Sequence, residues 1–285
     1  MNTQIHLSLV SLLLVLVLSA CGPSPAQLDA AATQVAANIF ATQTAQATPT
    51  STPTLTPTLT PLPPTPTATP VPPTATPTPN VTATTEARAT QTAAPIIAKI
   101  KKELGNYDVE LGEGYIGWMN DSTAVKVDTY MEQKRQAVSD LTVSDFAFHT
   151  DMTWETSTGL AGCGFVLRSE SDLDDGEGYR IYMFRLQNLP LWGFGYYKDN
   201  VLVDPLTPTG ITTASALFST QGSTNRITII AQGSKLAVYA NGDRMGVFTH
   251  KKVSQGILGF MALQESGQTT CTFDNSWLWV FKEGS

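Results

Sequence analysis

The chain has 285 residues, 42% hydrophobic and 14% charged, with 17 Lys and Arg against 24 Asp and Glu for a formal net charge of −7. About 25% charged residues is usual for a globular chain, so a long uncharged segment is expected, and residues 30–85 supply it. The acidic balance argues against a nucleic-acid partner, whose phosphates need clustered Lys and Arg; the pairs Lys101-Lys102 and Lys251-Lys252 are isolated and read as solvated surface. Roughly 190 residues remain from Pro95 onward, enough for one β-sandwich with its own core.

At the N-terminus an apolar run from Leu7 to Leu18 is too short to span a bilayer as a stable helix and suits the apolar region of a signal peptide. Leu18-Ser19-Ala20-Cys21 follows it directly and resembles the lipobox of bacterial lipoproteins, in which the leader is cleaved before the Cys and the Cys sulfur is diacylated. One feature departs from that pattern: Met1 to Leu7 carries no Lys or Arg. The alternatives are an ordinary secretory signal with a chance Cys, or a retained anchor. The resemblance implies lipidation at Cys21, a membrane partner through the lipid, and an extracytoplasmic place in the cell envelope. Two or three acyl chains give stable anchoring where one does not. With Cys21 assigned, Cys163 and Cys271 are left outside the cytoplasm, where disulfides persist, and they are expected to pair. Two buried free thiols are the alternative.

Residues 26–47 are rich in Ala, Thr and Gln, and Thr48 to Asn80 is a Thr-Pro tract. Proline fixes φ and removes backbone donors, so this tract cannot build a core and reads as a disordered, polyproline-II-like linker. At about 3.1 Å per residue it reaches roughly 100 Å. The organisation expected is therefore a signal peptide over 1–20, a stalk over 21–94, and a folded domain over 95–285. Ile96, Ile97, Ile100 and Leu104 lie on one face of a short helix over 95–104, with Pro95 in its first turn and Gly105 at its end.

From Tyr107 the signals are those of strands. Tyr115–Trp118 and Thr123–Tyr130 are candidates, followed by a polar connection over Met131–Asp140. Phe146, Phe148, Thr150, Met152 and Trp154 alternate as one face of a half-buried strand. Gly164–Arg168, an acidic loop (SESDLDDGEG) and Tyr179–Gln187 come next. Trp192–Tyr197 and Val201–Val203 then form a hairpin across Lys198-Asp199-Asn200, and Ala216–Phe218 is a short strand. Arg226–Gln232, Leu236–Ala240, Met245–Phe248, Ile257–Leu263 and Thr270–Phe281 complete the set. Asn241-Gly242 accepts φ > 0 at both positions and predicts a type I′ hairpin. Ile257–Leu263 is apolar on both faces and should be central. Many short strands with regular turns make the domain all-β.

Asn225-Arg-Ile-Thr-Ile-Ile, Gly233-x-Lys-Leu-x-Val-Tyr-x-Asn-Gly242, Gly256-Ile-Leu-Gly-Phe and Phe273-Asp-Asn-x-Trp-Leu-Trp together resemble the closing strands of the concanavalin A-like lectin/glucanase superfamily. Laminin-G-like domains and bacterial 3-keto-disaccharide hydrolase-type domains share this run, and Phe146–Arg168 is similar to the family's earlier strand pair. The resemblance covers roughly 109–282 and implies a two-sheet jelly roll. It leaves activity open, because the superfamily mixes enzymes with non-catalytic binding modules.

The superfamily's retaining glucanases place Glu-x-Asp-x-x-Glu on a strand. The nearest match here, Glu170, Asp172 and Asp175, ends in Asp and sits among glycines as a loop, so no catalytic residue is assigned. Some relatives hold calcium near the sandwich edge. Asp172, Asp174, Asp175 and Glu177 are hard oxygen donors suited to it, against the plainer reading of a solvated acidic turn with no cofactor. Trp192, Tyr196 and Tyr197, with Trp118, are the aromatic candidates for stacking on a carbohydrate or another surface polymer, against the plainer reading of core. Trp277 and Trp279 share a strand face and read as packing. The three histidines are isolated and form no zinc constellation, and there is no G-x-S-x-G elbow or phosphate loop. A surface-displayed, non-catalytic lectin-like module is the first expectation. A glycosidase of the 3-keto-disaccharide type and a structural envelope protein are the alternatives.

Overall fold

The computed structural model describes residues 81–107, 112–156 and 159–282. The leader, Cys21 and the Thr-Pro tract lie outside the described residues. Among the described residues the strands are preceded by one helix, α1 (Val81–Leu104); it starts well before Pro95, which lies inside it. Of the four apolar positions expected on its face, Ile100 and Leu104 are buried while Ile96 is exposed. Among the described residues no helix is long and apolar enough to cross a membrane.

Thirteen strands follow: β1 (Gly114–Val127), β2 (Gln133–Ala137), β3 (Phe146–Thr156), β4 (Leu160–Ser169), β5 (Gly178–Leu186), β6 (Leu189–Lys198), β7 (Val201–Pro205), β8 (Ile211–Thr213), β9 (Thr224–Gln232), β10 (Lys235–Ala240), β11 (Asp243–Thr249), β12 (Ile257–Gln264) and β13 (Thr269–Phe281). They make two antiparallel sheets of a jelly-roll sandwich. The six-stranded sheet runs β1-β13-β3-β9-β10-β11; the seven-stranded sheet runs β2-β12-β4-β5-β6-β7, with β8 paired to β6.

The core between the sheets is built by the period-2 alternation of each strand. On β3, Phe146, Phe148, Thr150, Met152 and Trp154 are fully buried, as their spacing predicts. Phe148 and Phe165 meet edge-on at 5.9 Å, and Phe260 stacks on Phe273 at 4.1 Å across the sheets. Each such ring contributes about 1.5–3 kcal/mol by leaving water. Cys163 on β4 and Cys271 on β13 form the expected disulfide, so one covalent link spans the two sheets. β12 lies between β2 and β4 and is buried along its whole length, consistent with its two apolar faces. Asn241 and Gly242 take φ 53° and 91° at the β10–β11 turn; that left-handed backbone is what Asn-Gly tolerates.

Three features depart from the sequence expectation. Tyr115–Trp118 and Thr123–Val127 belong to one strand, β1, bulged between Ile116 and Trp118. The polar segment Gln133–Ala137 is a strand, not a connection. It pairs with β12 at the sheet edge, where polar side chains face water and protect the open ladder. Ala216–Phe218 is not a strand: the Asn225 side chain accepts from the Phe218 N–H and donates to its carbonyl, closing a loop there, while β8 forms earlier.

Candidate functional site

On β5 the alternation divides the side chains cleanly. Tyr179, Ile181 and Met183 enter the core between the sheets, so Arg180, Tyr182 and Phe184 stand on the outer face of the seven-stranded sheet. The neighbouring strands leave room for them. Tyr182 is flanked by Gly164 on β4 and Gly193 on β6, and Phe184 by Gly162. A Cβ at Gly164 would fall 2.7 Å from Met261 Cε, so the rings and the methionine lie directly over a glycine floor. Tyr182 stacks on Phe184 at 5.5 Å and tilts against Tyr197 at 5.7 Å. A cavity with room for about one water molecule lies against Tyr182, Phe184, Tyr197 and Ile211.

Two arginines stand at one end of this aromatic row. Arg135 comes from β2, opposite Met261, and Arg180 from β5, with its guanidinium carbon 4.7 Å above the Tyr197 ring. Arg135 donates through Nη1 to Asp174 Oδ1 at 2.6 Å and through Nη2 to Gln133 Oε1 at 2.9 Å and Asn200 Oδ1 at 3.0 Å. Arg180 donates to the same Asn200 oxygen at 2.5 Å and to the Asp174 carbonyl at 2.7 Å. The Asp199-Asn200 turn fixes that oxygen in place, both residues having φ near 50–60°. Arg180 is 1% exposed and the Arg135 side chain 3%, whereas the Asp174 side chain is 71% exposed.

The charges do not balance within the cluster. Among the described residues two buried guanidiniums face one rim carboxylate, and burying a cation without a counter-charge costs several kcal/mol. Arg135 Nε and Tyr182 Oη are both buried without a well-aligned hydrogen-bond partner. Burial alone would raise the Tyr182 phenol, but the guanidiniums of Arg180 and Arg135 outweigh it and hold it below the ordinary tyrosine value. Tyr197 is pushed well above that value, by burial first and then by Tyr182. The site therefore concentrates positive potential beside flat aromatic surface.

The aromatic residues singled out by sequence are divided by the structure. Trp192 and Tyr196 point into the core between the sheets, and Trp118 packs against that core beside Phe148, so none of the three presents a ring on the outer face. Only Tyr197 belongs to the outer cluster. Tyr196 Oη donates to Glu177 Oε1 at 2.6 Å, and burial together with that carboxylate pushes its pKa up to about 12. Trp277 and Trp279 are buried, with Trp277 stacked on His149 at 5.0 Å.

The acidic loop is a turn with its carboxylates turned to separate partners. Asp172 accepts from the N–H groups of Asp174 and Asp175, Asp174 binds Arg135, and Glu177 binds Tyr196. Among the described residues no group of three or more His, Cys, Asp or Glu side chains converges as a cation site.

Arg135, Arg180, Tyr182 and Asn200 were not singled out by sequence. The alternation in YRIYMFRL was the available signal, since it sets Arg180, Tyr182 and Phe184 on the face opposite Tyr179, Ile181 and Met183. Arg135 gave no signal, because its strand, QKRQA, carries no apolar alternation.

No family model matches the chain, and no curated protein matches it. Solved structures to which it is similar include a carbohydrate binding module, CBM66, from Bacillus subtilis, at 16% identity and TM-score 0.42, covering 56% of this chain and 96% of that one. A Bacillus subtilis protein of unknown function with a galectin-like fold matches at 12% identity and TM-score 0.40, over 60% of this chain and 89% of that one. The catalytic domain of an endo-1,3-beta-glucanase (laminarinase) from Thermotoga petrophila RKU-1 matches at 7% identity and TM-score 0.37, over 52% and 69%. Similarity at this level assigns no substrate or activity to this chain.

Proposed function

We propose that this chain is a lipid-anchored protein of the cell envelope whose sandwich binds saccharide, without catalysis, on the outer face of the seven-stranded sheet. The observation that carries the reading is the juxtaposition of Tyr182, Phe184 and Tyr197 with the donors of Arg135 and Arg180. Aromatic faces supply apolar area to the ring faces of a sugar, and a few fixed polar groups orient it. Glycoside hydrolysis on two carboxylates needs an acid and a nucleophile or base on either side of the bond. β2, β12, β4, β5 and β6 contain no Asp or Glu, and the rim carboxylate Asp174 is held by Arg135, so these strands set no pair of carboxylates across a bound sugar. The anchor rests on Cys21 and its apolar leader, and the Thr-Pro tract supplies the spacing from the membrane.

Tyr182 and Tyr197 are nearly fully buried, so binding requires this face to open, starting at the rim formed by Asp174 and Asn200. That same burial favours a second reading, in which the face is filled and the protein is a structural element of the envelope. A glycan array probed with the full chain in detergent separates the two. Selective binding that is lost in Tyr197→Ala supports the saccharide reading; a blank array, or binding indifferent to Tyr197→Ala, favours the structural one.

A further inference from the structure

We propose that Arg135 and Arg180 form a carboxylate receptor, and that the saccharide taken by this face is acidic, carrying uronate-type carboxylates. This rests on the reading that the face binds saccharide, and it names the class. The geometry gives three grounds. Both guanidiniums converge on one oxygen, Asn200 Oδ1, at 3.0 and 2.5 Å. The carboxylate now on Arg135 belongs to Asp174, a loop residue whose side chain is 71% exposed, held at 2.6 Å through Nη1 alone. Arg135 Nε and the Tyr182 hydroxyl are buried without a well-aligned hydrogen bond, the hydroxyl lying between the two guanidiniums.

A guanidinium binds a planar carboxylate best through two parallel N–H donors, and Asp174 uses one. Asp174 is thus an internal stand-in for the ligand's carboxylate. An incoming uronate displaces it from the rim and takes the Arg135 fork. Its second oxygen lies toward Tyr182 Oη and Arg180, and its ring meets the edge of the aromatic row once the rim opens, since Arg180 already covers the Tyr197 face.

Calorimetric titration of the full chain in detergent with an oligogalacturonate and with its methyl ester tests this, because the ester keeps the ring and masks the charge. The acid form is expected to bind at least tenfold more tightly than the ester. Arg135→Lys, which keeps the charge and removes the fork, is expected to weaken the acid at least tenfold and leave the ester unchanged. Asp174→Ala is expected to tighten the acid severalfold, a change of sign that a purely structural role for the Arg135–Asp174 pair does not produce. Thermal melts of each variant establish that it is folded, and Arg180→Lys is the second variant if Arg135→Lys is not. Equal binding of acid and ester, tighter binding of a sulfated galactan, or weaker acid binding in Asp174→Ala overturns the carboxylate assignment. Ester binding that survives those results leaves the saccharide reading standing. Absence of binding by both forms overturns the carboxylate assignment, and a blank glycan array removes the saccharide reading with it.

Discussion

Tyr182 is where the chemistry of the outer face is most compressed. Its hydroxyl is buried, without an aligned partner, in the field of two guanidiniums that favour the phenolate. Its folded pKa lies below the ordinary value of about 10, so its contribution to stability is fully present above that value and is lost as pH falls through the folded pKa. In an ultraviolet titration, one tyrosine is expected to ionise ahead of the rest in wild type, and Tyr182→Phe should remove that early step. An unchanged titration would show that the field of Arg135 and Arg180 is neutralised by something else. Tyr196 has the opposite sign. Its pKa of about 12 keeps it protonated in the fold while the unfolded phenol ionises near 10. Its contribution is therefore intact below about 10 and lost as pH rises towards about 12. Tyr196→Phe should flatten that alkaline loss in denaturant melts taken across this range.

Among the elements, those with strong alternation were legible in the sequence. β3 and the β10–β11 hairpin are expected from Phe146–Trp154 and Asn241-Gly242, and β12 from a run apolar on both faces; the structure holds them there. The edges were not legible, for a physical reason. β2 sits at a sheet border, where Lys134 and Gln136 face water, so its pattern is that of a loop. The candidate site was hidden for a related reason. Aromatic residues do not by themselves declare which face of a sheet they occupy; the alternation along β6 turns Trp192, Phe194 and Tyr196 into the core and Tyr197 outward. Two elements carry measurable stability. The Cys163–Cys271 link closes a separation of 108 residues across the sheets. Replacing both cysteines by Ala is expected to cost about 2–5 kcal/mol in urea unfolding. Gly242, at φ 91°, should tolerate Val poorly, at about 1–2 kcal/mol. No loss in either variant would contradict the roles given to the link and the turn.

For the whole molecule, the proposed arrangement is an acylated Cys21, a Thr-Pro spacer and a sandwich that meets its ligand on the seven-stranded sheet. Mass spectrometry of the chain from its native membrane should find an N-terminal peptide beginning at Cys21 and carrying a diacylglyceryl mass; an intact leader or a bare Cys21 would remove the anchor. The place of binding is tested most directly by amide hydrogen exchange of the full chain with and without oligogalacturonate. Slowed exchange is expected in peptides covering Gln133–Ala137 and residues 170–200, the strands and rim that carry Arg135, Asp174, Arg180, Tyr182 and Asn200. Protection confined to β9–β11 of the opposite sheet, or none at all, would contradict it.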